Sequence, residues 1–176
     1  MSQPTPNAAV PDVPTVRAYL VDPKERTVRE IALPARQAFD EARKLIEAQT
    51  LDVVRADTFF GGAGGALLYV DDEGLLIEPQ FQAYALVGNK VIAGAFVVLR
   101  EVLVPLEDED DDGWRVVDVD FSASDVLAKV AFCNARFAAA AVELGVQEAA
   151  AYYASRGLKV ERAGNGLIVT CGTASS

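Results

Sequence analysis

Apolar and polar residues alternate over Thr27–Leu33, where Val28, Ile31 and Leu33 stand among Arg29 and Glu30. A period of two is that of a half-buried strand. Upstream, Val16–Val21 is an apolar, β-prone run, and Asp22-Pro23-Lys24-Glu25-Arg26 between the two reads as a turn, so the pair predicts a β-hairpin. After Pro34 the period lengthens. Ala38, Ala42, Leu45 and Ile46 fall on one face of a helix over Ala35–Gln49, with Pro34 suited to its first turn. Leu51–Ala56 and Ala66–Val70 read as strands on either side of the loop Gly61-Gly62-Ala63-Gly64-Gly65. Asp71-Asp72-Glu73-Gly74 reads as a tight turn into a further strand at Leu75–Ile77.

Residues 79–90 read as irregular or partly extended. Val91–Leu106 is the longest β-prone run, dense enough in Val, Ile, Phe and Leu for a central strand buried on both faces. The acidic segment Glu107–Asp112, with Gly113, then forms the tip of a long hairpin that returns through Trp114–Phe121. At Ser122 the pattern changes. Ser122-Ala123-Ser124-Asp125 is a helix start with an acid three residues after the cap. Val126, Val130, Cys133, Phe137, Ala141 and Leu144 form one helical stripe that ends at Gly145. Val146–Arg156 is a second helix stopped by Gly157, and Leu158–Arg162 with Leu167–Cys171 closes the chain as a hairpin. The fold class is α+β: a mostly antiparallel sheet with one N-terminal helix, followed by a helix-helix-hairpin unit. Residues 1–14, with four prolines, read as a flexible tail. Residues 15–121 form the first unit and 122–176 the second, either separate or sharing one core.

Composition narrows the chemistry. The chain has 176 residues, a net charge of −10 and no histidine. That excludes Ser-His-Asp and Cys-His nucleophile pairs, histidine-ligated metals and an imidazole pH switch. Two cysteines, Cys133 and Cys171, are too few for a disulfide framework or a zinc site and read as free thiols. No basic n-region precedes an apolar stretch, and the longest uncharged run is too short and polar to span a bilayer, so a cytoplasmic protein is expected. The charge is uneven: residues 1–121 carry −11 and residues 122–176 carry +1.

Ala18-Tyr19-Leu20-Val21-Asp22-Pro23, Leu51-Asp52-Val53-Val54-Arg55, Leu68-Tyr69-Val70-Asp71-Asp72-Glu73-Gly74-Leu75 and Val91-Ile92-Ala93-Gly94-Ala95-Phe96-Val97-Val98 together mark residues 17–104. This half of the chain resembles a phage- and plasmid-associated family catalogued as domain of unknown function 3846. The Gly61–Gly65 loop is an insertion relative to that family's pattern, and everything from the acidic tip onward falls outside it. The resemblance implies a mobile-element accessory protein and supplies no reaction.

Four constellations invite a chemical reading. The Gly61–Gly65 loop lacks the Gly-Lys-Ser/Thr of a phosphate-binding loop, since Ala66-Leu67-Leu68 follow it, and it reads as a connection. Asp108-x-Asp110-x-Asp112-Gly113 matches the first half of a calcium loop, but the position of its bidentate glutamate is Val119. Glu107, Asp108, Glu109, Asp110, Asp111 and Asp112, with Trp114 beside them, are therefore expected to be an interaction surface. Asp71, Asp72, Glu73 and Gly74 form the family-motif turn; adjacent acids on a tight turn seldom converge on one substrate, so no catalytic, metal or cofactor site is expected there. Val142-Glu143-Leu144-Gly145-Val146 resembles the turn of a helix-turn-helix with a hairpin wing behind it. Its second helix carries a single base, Arg156, and the overall charge opposes phosphate neutralisation.

The leading expectation is a non-catalytic, acidic accessory protein of a phage or plasmid. Its partner would be a protein with a basic surface, and its target would be host or defence machinery. The alternatives are a small DNA-binding regulator working through residues 122–176 and a carboxylate- or metal-dependent enzyme. No cofactor, membrane or nucleic acid is expected, and the oligomeric state is not legible.

Overall fold

The computed structural model describes residues 14–56, 60, 65–77, 82–104, 113–163 and 166–171. The first β-rich layer begins with the hairpin β1 (Thr15–Asp22) and β2 (Thr27–Pro34), in register from Thr15↔Pro34 to Asp22↔Thr27. The Asp22 carboxylate accepts from the backbone N–H groups of Lys24 and Glu25, which sets the turn. A 3-10 turn at Ala35–Gln37 leads into α1 (Ala38–Leu45), with Pro34 at the end of β2 instead of inside the helix. β3 (Leu51–Arg55) and β4 (Ala66–Asp71) then pair antiparallel. With β7 (Phe96–Leu103) they complete an antiparallel sheet in the order β2-β1-β7-β4-β3, and β8 (Trp114–Val117) pairs with the far half of β7.

A second sheet lies against the first. It contains β5 (Tyr84–Val87), β6 (Lys90–Ala93), β9 (Val130–Cys133), β10 (Leu158–Ala163) and β11 (Gly166–Cys171), in the order β10-β11-β9-β5-β6. The contact between β11 and β9 is parallel, and the other pairings are antiparallel. Tyr19, Val21, Leu68, Phe96 and Val98 from the first sheet meet Ala85, Val87, Ile92, Val130 and Phe132 from the second. The outer face of the first sheet buries Ala18, Leu20, Leu67 and Val97 with Ala38 and Ala42 of α1. The outer face of the second buries Tyr84, Leu86 and Ala131 with α3 (Ala135–Leu144) and Ala149 of α4 (Val146–Ala154). The architecture is α+β in four layers, helix, sheet, sheet, helices, with mostly antiparallel strands.

Several sequence expectations change or sharpen. The run expected as one strand over Val91–Leu106 is two strands, one in each sheet. Gly94 sits between them at φ +74, where residues with a Cβ are strained, and its N–H donates to Ala83 O at 2.8 Å. Within the stretch expected to be irregular or partly extended, Tyr84–Val87 is the buried strand β5, and Leu75–Ile77 falls in and after a 3-10 turn (Gly74–Leu76) instead of a strand. The continuous helix expected from Ser122 to Leu144 is interrupted. α2 (Ala123–Lys129) gives way to β9, so the second half runs helix, strand, helix, helix, hairpin. All four residues of β9 are buried. Four consecutive apolar residues cannot all face one side of a helix, whereas a strand covered on both faces buries them all. β9 pairs with β5, so the segments before and after residue 122 share a sheet and a core.

Candidate functional site

The two long borders of the sandwich differ. At one, α2 closes the gap between the sheets. Ser122 caps it in a capping box with Asp125: Ser122 Oγ accepts from Asp125 N–H, and the Asp125 carboxylate accepts from Ser122 N–H at 2.8 Å. The Ser122 hydroxyl also donates to the Asp125 carboxylate at 2.7 Å, and that bond first, then the one from Ser122 N–H, holds the Asp125 carboxyl below its ordinary value. Val126 is fully buried among Phe96, Val130 and Phe132, and Val28 and Leu127 pack around that cluster. The segment between β8 and α2 is tied to β1. The Asp118 carboxylate accepts from Arg17 N–H at 2.6 Å, the Arg17 guanidinium donates to Val119 O at 2.6 Å, and the Tyr19 hydroxyl donates to Phe121 O at 2.8 Å.

At the other border β3 and β6 are the outermost strands of their sheets, and a groove runs between them. One end is a cavity of about 120 Å³ lined by Asp52, Val54, Val70, Asp71, Asp72 and Leu75 against Val91, Ile92 and Ala93. It continues through Val54, Leu75, Val91 and Ile92 into a hollow of about 300 Å³ that reaches Lys90 and Val142 on α3. Apolar side chains are left open here: Leu75 is 50% exposed and Val142 55%, and Val54 and Val91 are half-buried. Isolated exposed aliphatics are ordinary; several around one groove are less so.

The acids of the groove come from facing positions. Asp52 and Val54 lie on the inward face of β3, opposite Val70 and Leu68 of β4. Asp71 ends β4, and its carboxylate accepts from Glu73 N–H at 3.1 Å, which folds the turn. The Asp52 carboxylate accepts from Val53 N–H at 2.7 Å. No ion pair reaches Asp52, Asp71 or Asp72 from a described lysine or arginine. Gly74 follows, and a Cβ there would stand a tight 3.1 Å from Ala93 O on β6.

The turn Asp71, Asp72, Glu73 and Gly74 is thus placed at the open border, with two of its acids lining the cavity. Asp52, Leu75, Val91 and Val142, which complete the groove, enter the sequence reading only within the segments of the resemblance and the helix-turn-helix-like turn, not as site residues. The available signal was Leu75-Leu76-Ile77, three aliphatics directly after an acidic turn. Trp114 opens β8 and is 41% exposed, with the Arg55 guanidinium 5.8 Å from its ring centroid. Glu107, Asp108, Glu109, Asp110, Asp111 and Asp112, and most of the Gly61–Gly65 loop, lie outside the described residues.

Other constellations are occupied in ways that limit their chemistry. Burial pushes the Cys133 thiol up to about 12, which keeps it protonated and inert as a nucleophile at neutral pH. Tyr69 donates to Glu101 at 2.9 Å, and burial with that bond raises its hydroxyl well above the ordinary phenol. Among the described residues, no group of three or more Cys, Asp or Glu is arranged to hold a metal ion. A larger hollow of about 510 Å³ lies where the β1–β2 turn, the end of α1 and Gly94 meet, but its Asp22 carboxylate is engaged by the turn.

In the helix pair, Gly145 at φ +87 makes the bend between α3 and α4. The Tyr153 ring stacks on Phe137 and its hydroxyl donates to Arg136 O at 3.1 Å. Arg156 lies over the Tyr152 ring at 3.7 Å and Lys159 pairs with Glu161, so these two bases are partnered within the chain. Among the described residues, no helix is long and apolar enough to cross a membrane. Neither family models, curated proteins nor solved structures give a match to this chain.

Proposed function

We propose that this chain is a non-catalytic, acidic accessory protein that works by binding a protein partner with a basic surface. The observation that carries this reading is the open border, where Asp52, Asp71 and Asp72 stand beside exposed Leu75 and Val142 in one groove. An apolar centre with a charged rim is the usual composition of a protein-binding surface. The acids supply the complementary field, and the −11 of residues 1–121 extends it beyond the groove. The resemblance to the phage- and plasmid-associated family supports an accessory role in a mobile element, acting in the cytoplasm on host or defence machinery. Affinity capture from lysates of candidate hosts tests the reading. The expected result is a protein partner released by raised salt; the absence of any salt-sensitive partner across hosts overturns it.

A further inference from the structure

We infer that the groove between β3 and β6 takes an extended segment of the partner, paired to the outer edge of β6, with aliphatic side chains in the groove and a lysine or arginine at the Asp71–Asp72 end. This assignment rests on the protein-binding reading above and names what the groove holds. Three independent features define the occupant.

The first is backbone geometry. β5 and β6 are joined by a two-residue turn, with Val87 opposite Lys90 and Tyr84 opposite Ala93. The hydrogen bond from Gly94 N–H to Ala83 O fixes which pairs are bonded. In an antiparallel ladder bonded and non-bonded pairs alternate, so Lys90 and Ile92 bond to β5 while Val91 and Ala93 direct their N–H and C=O groups outward. The Gly74 turn lies against Ala93 O and covers that end of the edge, so the open part is at Val91. Val91 is partly buried and lines both hollows, so the outward amide and carbonyl that the ladder gives it lie beside the groove. An edge in this state recruits an extended chain by main-chain pairing. The matching edge of β3 is blunted where the Asp52 side chain takes Val53 N–H, which leaves β6 as the pairing strand.

The second feature is the groove lining. Val54, Leu75, Ile92 and Val142 come from four separate elements and converge on one hollow. A strand paired to β6 directs alternate side chains toward opposite faces, so every second residue of the guest would meet this apolar wall. The third is charge. Asp52, Asp71 and Asp72 sit at one end, and Lys90 lies on the other side of Val91. That gradient sets the direction of the guest: its cationic end lies over the acids.

The probe is an acetylated, amidated octapeptide with two lysines followed by alternating valine and serine, together with its reversed sequence. Binding is read by fluorescence anisotropy at low ionic strength. Controls carry glutamates in place of the lysines, or N-methylated valines that cannot donate. The expected result is that one lysine peptide binds at least about tenfold tighter than its glutamate counterpart, that N-methylation abolishes binding, and that the Val91 amide resonance shifts on titration. Asp71→Asn with Asp72→Asn keeps an acceptor for Glu73 N–H while removing two charges, and should weaken binding about fivefold. Val142→Arg, on an exposed helical position, should weaken it by about tenfold or more. Circular dichroism checks that both variants fold. Equal affinity for lysine and glutamate peptides, indifference to both variants, or no binding overturns the assignment. A concentration-dependent dimer broken by Val142→Arg also overturns it, because the groove would then hold a second copy. If a captured partner is salt-sensitive yet unaffected by both variants, the groove assignment falls while the protein-binding reading stands.

Discussion

The two borders of the sandwich are built from the same material to opposite ends. Both begin as a gap between two twisted sheets that exposes the edge of the core. At the β2 side the chain fills the gap with α2, and ties the approach with bonds from Arg17 and Tyr19. At the β3 side no α-helix among the described residues fills the gap, and Val54, Leu75 and Val142 stay partly in water. The closed border shows that this fold can cover such a gap with seven helical residues. The open one therefore retains apolar surface that the chain had the means to bury, which is what a binding surface requires.

The same substitution at each border tests this contrast most severely. Val126→Asp places an unpaired carboxylate in the sealed core and should cost about 4 kcal/mol or more, read as a collapsed urea midpoint or loss of soluble folded protein. Val142→Asp, at the open border, should change stability by no more than about 0.5 kcal/mol. Equal costs would erase the distinction.

Alkaline pH probes the sealed interior next. The folded Cys133 pKa of about 12 lies above the unfolded thiol's ordinary value. Its contribution to stability is full below about pH 8.5 and is lost as pH rises toward the folded value, at no more than about 1.4 kcal/mol per pH unit. The raised Tyr69 adds loss in the same direction above about pH 10. Urea titrations of Cys133→Ala against the parent should show a flatter alkaline decline in the variant. Tyr19→Phe removes the bond to Phe121 O and should cost about 1 kcal/mol, with α2 amides exchanging faster in hydrogen-exchange measurements. The smallest effect is at acid pH. Asp125 is held below its ordinary value, so its contribution is present above the unfolded carboxyl pKa and is lost as pH falls through the depressed one. Asp125→Asn should abolish that part of the acid slope.

Local chemistry was legible in the sequence. The β1–β2 hairpin shows in its Asp-Pro turn, the α2 start in Ser122 and Asp125, and the Gly145 break in its lack of a side chain. Non-local facts were not. Val130–Cys133 fits a helical stripe through Val126 and Phe137, and becomes a strand because β5 and β11 offer edges on either side. Likewise nothing near Gly94 says that its two flanks enter different sheets. The Asp71–Gly74 turn was legible as a turn, but its partners in the groove come from β3, β6 and α3. That convergence is a property of the closed fold.

The insertion of β9 between β5 and β11 has a consequence in time. On the ribosome the β5–β6 hairpin is complete at Ala93, but its inner neighbour ends at Cys133, about forty residues later. At roughly 5–20 residues per second that interval is about 2–8 s. During it Tyr84 and Leu86 on β5 lack the strand that will shield their flank. The nascent chain thus passes through a window of seconds in which a chaperone, or another emerging copy, competes with its own unfinished sheet.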